Sequence, residues 1–274
     1  IHPAPHHAPR RRGTRPAPAP CGKVSACLPR PCGPIAGGRR EGGDRAGTCD
    51  ILISGGGIAG LTAAATFGSA GFRVICVDPA PPITARDVDG SDLRTTAVLQ
   101  PARALLERCG LSARLADHAA PRQIMRIVDA GGEHPEPRVV RDFNAADISD
   151  QPFGWNLPNW LLRRELVAAL ADLPNVDFRP GVGTTQLFTR LNEARVTLTD
   201  GSQQKAKLVL ACDGRNSPMR ETAGIPVKTT RYGQKALAFA VTHPVPHETV
   251  STEIHRSGGP FPLVPLPDYQ GSVP

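Results

Sequence analysis

Residues 50–78 constrain the fold of this chain most, because a glycine-rich turn lies there between two short apolar runs. The first run, 50–54, reads Asp-Ile-Leu-Ile-Ser, and the second, 73–78, reads Arg-Val-Ile-Cys-Val-Asp. Runs of this kind are typical of strands buried in a parallel sheet. Between them, residues 58–70 place Ala, Leu and Phe at helical spacing. The sequence therefore predicts a strand, turn, helix and strand in succession, the opening unit of a Rossmann-like α/β domain.

The turn at 55–60 reads Gly-Gly-Gly-Ile-Ala-Gly and fits the pattern Gly-x-Gly-x-x-Gly. In that pattern Gly55 allows the tight turn, Gly57 lets backbone approach a pyrophosphate, and Gly60 permits close contact between helix and strand. The helix N-terminus also offers free N–H groups to an anion. Asp78 lies eighteen residues after Gly60, near the spacing at which an acid meets a ribose hydroxyl. These features favour a site for FAD or NAD over NADP, with a purely structural turn as the alternative.

A third apolar run, 207–212, is followed by Asp213 and Gly214. An acid at the carboxyl end of a strand points into the crevice where open α/β sheets bind ligands. Ser217 and Arg220 follow at positions suited to fixing the turn beyond. An ordinary turn with an exposed acid is the alternative for this segment alone.

The spacing Asp213-Gly214-x-x-Ser217-x-x-Arg220 resembles the Asp-Gly motif of FAD-dependent aromatic hydroxylases, the single-component flavoprotein monooxygenases. Three further segments are similar to that family: 92–97 (Asp-Leu-Arg-Thr-Thr-Ala), 153–163 (Phe-Gly-Trp-Asn-Leu-Pro-Asn and on to Leu-Arg) and 259–266 (Gly-Pro-Phe-Pro-Leu-Val-Pro-Leu). The combination is most like the ubiquinone-biosynthesis hydroxylase branch. The resemblance covers about residues 49–274.

This resemblance implies a set of FAD contacts: Gly55, Gly57, Gly60, Asp78, Arg94, Arg163, Asp213 and Gly214. The glycines of the turn would hold the pyrophosphate, and the acid at 78 would bind the adenosine ribose. Arg94 would lie near the flavin, and Asp213 would serve FAD and also NAD(P)H binding. Arg164 is the alternative to Arg163 in register, and a solvated helix charge is the alternative for either arginine.

The resemblance also implies the reaction. NAD(P)H reduces FAD, the reduced flavin captures O2 as a C4a-hydroperoxide, and oxygen passes to an electron-rich phenolic ring. The implied substrate is a polyprenylated phenol of ubiquinone biosynthesis, with contact to a membrane surface or a ubiquinone-biosynthesis complex. No metal and no catalytic base are assigned, although His243, His247 and His255 fall in the substrate-sheet region. Another flavoprotein of the same fold, such as a prenyl reductase or halogenase, and a non-catalytic fragment remain as alternatives.

The expected organisation has three parts: a tail at 1–47, an FAD-binding domain at 48–224 with a substrate-domain excursion at about 120–155, and a substrate-binding sheet at 225–274. The family carries a Gly-Asp motif and a long helical portion after this sheet. Because the sequence stops at Pro274, we expect a fold of the aromatic-hydroxylase type that is incomplete at the C-terminus.

Residues 1–47 hold nine Arg or Lys against two acidic residues, and so they carry the whole net charge of +7. They lack aromatic residues and are dense in Pro, Gly and Arg. Such a composition predicts a disordered tail, with an organelle-targeting peptide as the alternative, and gives no support to nucleic-acid binding. The seven cysteines show no paired spacing, which favours reduced thiols in the cytoplasm.

Elsewhere, patterning predicts a helical segment at 93–109 interrupted near Pro101, and a helix capped by Asn159 that ends before Pro174. Residues 195–199 and 205–212 are expected to pair as a hairpin around Asp-Gly. Alternation at 236–242 and 250–255 predicts two strands.

Overall fold

The computed structural model describes residues 47–134, 136–256 and 258–267, so nearly all of the predicted tail lies outside the described residues. In chain order, the strands of this part are β1 (Thr48–Ser54), β2 (Val74–Asp78), β3 (Thr95–Leu99), β4 (Ala120–Arg122), β5 (Ile124–Asp129), β6 (Val139–Asn144), β7 (Gly154–Pro158), β8 (Val176–Pro180), β9 (Thr184–Thr189), β10 (Ala194–Leu198), β11 (Gln203–Ala211), β12 (Val250–Arg256) and β13 (Gly259–Leu263). The α-helices are α1 (Ile58–Ser69), α2 (Gln100–Arg108), α3 (Ser112–Ala116), α4 (Asn159–Ala171) and α5 (Pro218–Thr222).

A six-stranded sheet in the order β8-β2-β1-β11-β10-β9 forms the main layer. Its strands β8, β2, β1 and β11 are parallel, as expected for buried apolar runs linked by crossovers. Strands β10 and β11 pair antiparallel, which confirms the predicted hairpin. The predicted unit of strand, glycine turn, helix and strand is present as β1, α1 and β2.

Two apolar clusters cover the faces of the main sheet. On one face, Ile53 packs with Leu61 of α1 and Leu166 of α4, and all three are completely buried. On the other face, Leu52 packs with Val196 of β10. The alternation of Leu52 and Ile53 between the two clusters follows from the period of two in a strand. β1 is therefore the central strand of the core, and it fixes the position of the turn that follows it.

Two smaller sheets complete the described fold. One has four strands in the order β13-β12-β5-β6, and the other has three in the order β3-β7-β4. Strands from the ranges 120–155 and 225–267 thus meet in one sheet, through the parallel pairing of β5 with β12. The domain boundaries themselves stay a prediction.

The helical segment predicted at 93–109 is wrong in its first half. Residues Thr95–Leu99 form β3, which pairs antiparallel with β7, and only Gln100–Arg108 is helical. Pro101 lies in the first turn of α2, where a missing N–H costs nothing. Pairing with β7 therefore overrides the local helical pattern.

The predicted capping of the following helix by Asn159 is also wrong. The N-cap of α4 is Pro158, which has no side-chain capping hydrogen bond, and Asn159 is the first helical residue. Its side chain instead accepts a hydrogen bond from Thr96 Oγ1 at 2.7 Å and donates to Asp92 Oδ2 at 2.9 Å. Tertiary partners have displaced the capping role.

Of the two late strands, 250–255 is confirmed as β12, whereas 236–242 is not a strand and its apolar side chains are exposed. Residues 236–242 pair with none of the three described sheets. Without a paired neighbour an alternating pattern does not form a strand, so alternation alone is not sufficient here.

Candidate nucleotide-binding site

The glycine turn lies at the carboxyl end of the main sheet, between β1 and α1. Gly55 has a φ of +108°, a conformation that favours glycine, and its N–H donates to Val77 O at 2.7 Å. A Cβ on Gly55 would overlap the carbonyl group of Cys212, at the end of β11. The N–H of Cys212 in turn donates to Ser54 O at 2.7 Å. The two segments singled out in the sequence are therefore in direct contact.

The other glycines of the turn have opposite surroundings. A Cβ on Gly60 would overlap the carbonyl oxygen of Gly55, so the close approach of α1 to the turn requires glycine there. A Cβ on Gly57 would meet no atom within 4 Å. Gly57 is also the N-cap of α1, and the first turn of that 12-residue helix has neither a side-chain cap nor an acidic residue. The helix N-terminus is consequently open to an anion.

Asp78, at the end of β2, points its carboxylate at the turn. Oδ2 accepts a hydrogen bond from the N–H of Gly56 at 2.5 Å, and Oδ1 accepts from the N–H of Ala80 at 2.8 Å. This side chain thus orders the turn and lies beside the open end of α1. Its position matches that of an acid which meets a ribose hydroxyl.

Asp213 follows β11 on the other side of the turn. Its Oδ2 accepts a hydrogen bond from Met219 N at 3.0 Å, whereas Oδ1 is buried and has no partner in the described residues. Ser217 caps α5 by accepting from Arg220 N at 3.0 Å, which fixes the turn as predicted. Gly214 is exposed, with open space around it. A buried carboxylate oxygen without a donor is costly, and a ligand hydroxyl or N–H would satisfy it.

Arg94 and Arg163 meet at a third carboxylate, that of Asp92. Arg94 donates from Nε to Oδ1 at 2.7 Å and from Nη2 to Oδ2 at 2.8 Å, and Arg163 Nη2 lies 3.6 Å from Oδ2. The hydrogen bonds from Arg94 hold the pKa of Asp92 well below its usual range. The side chain of Arg94 is 69% exposed. Its other N–H groups are therefore accessible to a ligand.

Arg163 rather than Arg164 is the helix arginine beside this group. Arg164 points elsewhere, with its Nε donating to Glu165 at 2.8 Å and its guanidinium 5.5 Å from the ring of Trp160. The sequence left the register between the two arginines open, and the contact with Asp92 favours Arg163. Whether Arg163 touches a cofactor stays a prediction.

Asp92 and Asn159 are positioning residues that sequence reasoning missed. Asp92 holds Arg94 through a bidentate pair, and Asn159 joins the same carboxylate from the start of α4. One sign was available, since Asp92 stands two residues before Arg94 in the segment that carries the family resemblance. The contribution of Asn159 had no comparable sign, because its partners lie more than sixty residues away.

The three histidines of the later region do not converge on this site. His247 Nδ1 accepts from Thr249 N at 3.0 Å within its own loop, and His255 Nε2 lies 3.1 Å from Glu253 of the same strand. His243 lies in the exposed segment before β12. Within the described ranges no group of three His, Cys, Asp or Glu residues could hold a metal ion, and no helix is both long and apolar enough to span a bilayer.

Comparison with known sequences also indicates an FAD-binding protein. The model of a family described as an FAD binding domain matches residues 48–270. Ubiquinone hydroxylase UbiL of Rhodospirillum rubrum is 31% identical over 245 residues, which cover 89% of this chain and 54% of the relative. The 3-demethoxyubiquinol 3-hydroxylase of Escherichia coli K12 is 27% identical over 225 residues, covering 82% of this chain and 56% of the relative. The chain thus spans about half the length of the curated relatives it matches.

The fold of this chain is similar to that of several solved structures. P. aeruginosa PqsL in complex with 2-aminobenzoylacetate superposes with a TM-score of 0.63 at 23% identity, covering 81% of this chain and 58% of that one. The p-nitrophenol 4-monooxygenase PnpA of Pseudomonas putida gives 0.53 at 24% identity, covering 65% and 44%. At such identities the likeness speaks for the fold alone. It confirms the predicted α/β class, a Rossmann-like domain with a second, β-rich part of the aromatic-hydroxylase type.

Proposed function

This chain belongs to the FAD-binding domain family, and on that premise we propose that it forms the flavin-binding part of a monooxygenase that hydroxylates a polyprenylated phenol in ubiquinone biosynthesis. NAD(P)H is the proposed reductant and O2 the oxygen donor. Two matched relatives are named ubiquinone hydroxylases, and a third a demethoxyubiquinol hydroxylase. These names and the family match confirm the resemblance to FAD-dependent aromatic hydroxylases of the ubiquinone branch.

The observation that carries the proposal is the convergence of the glycine turn with Asp213. The two segments are more than 150 residues apart in sequence, yet Gly55 can only be glycine because Cys212 lies against it. At this point an open helix N-terminus, a carboxylate at the end of β2 and an unpartnered carboxylate oxygen after β11 share one edge of the sheet. An anion flanked by hydroxyl groups matches such a set of groups.

The residues present fit FAD. The N–H groups after Gly57 would bind the pyrophosphate, since the space in front of them is open. Asp78 would accept a hydrogen bond from the adenosine ribose, and the free Oδ1 of Asp213 would accept one from the cofactor. When bound, FAD supplies the redox chemistry that activates O2 for insertion into an aromatic ring.

Arg94 and Arg163 have a supporting electrostatic role in this proposal. Both are held by Asp92, which balances only one of their two positive charges. The remaining charge favours a negatively charged group near the exposed face of Arg94. Asn159, at the start of α4, donates a hydrogen bond to Asp92, which lies in the loop before β3. The position of the two arginines therefore depends on both α4 and this loop.

The partner and location proposals follow from the substrate. A prenyl chain is strongly apolar, and a protein that takes it up must meet a membrane surface or a carrier partner. We therefore propose a cytoplasmic protein with peripheral contact to the membrane or to a ubiquinone-biosynthesis complex.

The proposal is tested by following whether an oxygen atom from O2 is incorporated into the phenol. The chain is incubated with FAD, NADPH, a short-chain prenylphenol and 18O2, and the product is analysed by mass spectrometry. One labelled oxygen atom on the ring is expected. A product reduced in its prenyl chain with no ring oxygen would point to a prenyl reductase instead, and a folded chain that binds no FAD would contradict the proposal.

A further inference from the structure

The turn at 247–249, which leads into β12, holds two residues in an unusual backbone conformation. Glu248 has a φ of +48° and Thr249 a φ of +59°, and no other non-glycine residue of the described ranges has a positive φ. This left-handed region crowds the Cβ of an L-residue, and a β-branched residue such as threonine is rarely found there. Strain of this kind persists only where surrounding contacts hold it, and it is concentrated at functional and switching segments.

Hydrogen bonds within the turn hold this conformation. The imidazole Nδ1 of His247 accepts from Thr249 N at 3.0 Å, and the carbonyl oxygen of His247 accepts from Val250 N at 2.9 Å. The hydroxyl of Thr249 donates to Glu248 O at 2.6 Å. The first of these bonds depends on protonation, because Nδ1 can accept only while it carries no proton.

The strained turn is also attached to the neighbouring strands. The carbonyl oxygen of Thr249 accepts from Gln123 N at 3.1 Å and from Ile124 N at 3.4 Å. Gln123 lies between β4 and β5, where the chain passes from the three-stranded sheet to the four-stranded sheet. Val250, the residue after the turn, begins the parallel pairing of β12 with β5 and lies opposite Ile124. The turn therefore fastens the start of β12 to the corner between the two smaller sheets.

The charged side chains around the turn do not bind the imidazole. None of the described carboxylates lies within ion-pair distance of His247. Arg126 is held by Asp142 at 2.7 Å and also interacts with the charge of Glu248. The charged groups on the turn and on the elements beside it are Glu248, Arg122 of β4, Arg126 of β5, Asp142 of β6, Asp147 of the 3-10 helix Ala145–Asp147 and Glu253 of β12. The bond that protonation of the ring breaks is thus the one from Thr249 N to Nδ1.

Protonation of His247 acts on the turn in two ways. A proton on Nδ1 removes the acceptor, and it places an N–H donor against the N–H of Thr249. The left-handed residues then lose a contact that offsets their strain. Because the open turn binds one more proton than the closed turn, a fall in pH favours the open form. Histidine is the side chain that ordinarily changes charge between about pH 5 and 8.

We propose that the 247–249 turn is a pH-sensitive latch, closed by neutral His247 and released in mild acid. The closed latch keeps the corner at Gln123 attached to the start of β12. In the open form Thr249 leaves the left-handed region, and the hydrogen bonds that its carbonyl oxygen accepts from Gln123 and Ile124 are lost. No flavin or phenol takes part, so the latch does not depend on the proposed function.

The test is hydrogen exchange of the Gln123 amide in the whole chain. Exchange is resolved by NMR at pH 7.5 and pH 5.5 and corrected for the intrinsic dependence of amide exchange on pH. Protection of Gln123 is expected to be about fivefold lower at pH 5.5, a ratio typical of the loss of one hydrogen bond. The amide of Ile53 in β1 is the internal reference and should keep its protection, because Ile53 lies in the core of the main sheet.

Variants separate His247 from a general effect of acid. In His247→Asn the side-chain oxygen can accept the same bond from the N–H two residues on but does not titrate, so Gln123 should be equally protected at both pH values. His255→Gln, on β12, is the matched control, and its Gln123 amide should lose protection as in wild type. Thr249→Gly removes strain, because glycine adopts the left-handed region freely, and it should reduce the loss.

Several results would overturn the proposal. Equal protection of Gln123 at both pH values in wild type would show that the turn does not open. A loss in His247→Asn as large as that in wild type, or no loss in His255→Gln, would assign the effect to another group. If His247→Asn already lacks protection at pH 7.5, Thr249→Gly decides the question, and a loss equal to that of wild type would contradict the latch.

Discussion

The contrast between Gly57 and Gly60 gives the sharpest stability prediction. In Gly60→Ala the new methyl group would overlap the backbone carbonyl oxygen of Gly55, which β1 holds rigidly in place. Helix α1 must then move away from the sheet, although Leu61 and Ala64 are completely buried there. Overpacking of this kind costs about 1–3 kcal/mol or more, and the better helix propensity of alanine returns about 1 kcal/mol. We expect a net loss of about 2 kcal/mol, the upper end of this balance, because the overlapping atom is backbone and cannot move aside as a flexible side chain would.

The assay is thermal unfolding followed by circular dichroism, with Gly57→Ala as the matched control. A loss of about 2 kcal/mol corresponds to a melting temperature roughly 4–8 °C lower for a domain of this size. In Gly57→Ala the methyl group enters open space at an extended N-cap, so the expected change is under about 1 kcal/mol. Close packing of α1 on the turn would be refuted if Gly60→Ala had the melting temperature of wild type, or if both variants lowered the melting temperature by the same amount.

Burial raises the pKa of Cys49 to about 11 and that of Cys76 to about 12, so neither forms much thiolate at pH 8. Iodoacetamide should leave both unlabelled until urea unfolds the chain, as read by peptide mass mapping; labelling at the unfolded rate would contradict their burial. Asp92→Asn should lower stability at pH 7 by about 1–2 kcal/mol, since it weakens the pair with exposed Arg94. Because the pKa of Asp92 is depressed in the folded state, its contribution is complete above the unfolded value of about 3.9 and is lost as the pH falls further. The two proteins should therefore converge in melting temperature below pH 4, and a constant gap down to pH 2 would argue against the ion pair.

The glycine turn and the strands and helix around it, residues 50–78, could be predicted from sequence because the residues that determine them are close together in the chain. Buried strands, a tight turn and a small-residue helix lie within thirty residues, and each follows from patterning or from the absence of a Cβ. The placement of Asp213 beside Gly55 could be expected only from the family resemblance, since no local rule brings β11 next to β1.

Long-range contacts account for two of the errors. Thr95–Leu99 has a helical pattern but pairs with β7, and the side chain of Asn159 bonds to Thr96 and Asp92 instead of capping α4. In both cases the deciding partner lies more than fifty residues away in the sequence. Residues 236–242 alternate as a strand should, yet they pair with none of the described sheets.

The central claim is that the turn at 55–60 holds the FAD pyrophosphate, and its most direct test is FAD binding by the purified chain with Gly57→Glu as the variant. The glutamate enters open space, so the variant should fold normally, but its carboxylate would occupy the anion position at the start of α1. Gly132→Glu, in the exposed loop between β5 and β6, adds the same charge elsewhere and serves as the control. Wild type and Gly132→Glu should bind FAD and quench its fluorescence, whereas Gly57→Glu should not. Normal FAD affinity in folded Gly57→Glu, or no FAD binding by the folded wild-type chain, would contradict the account.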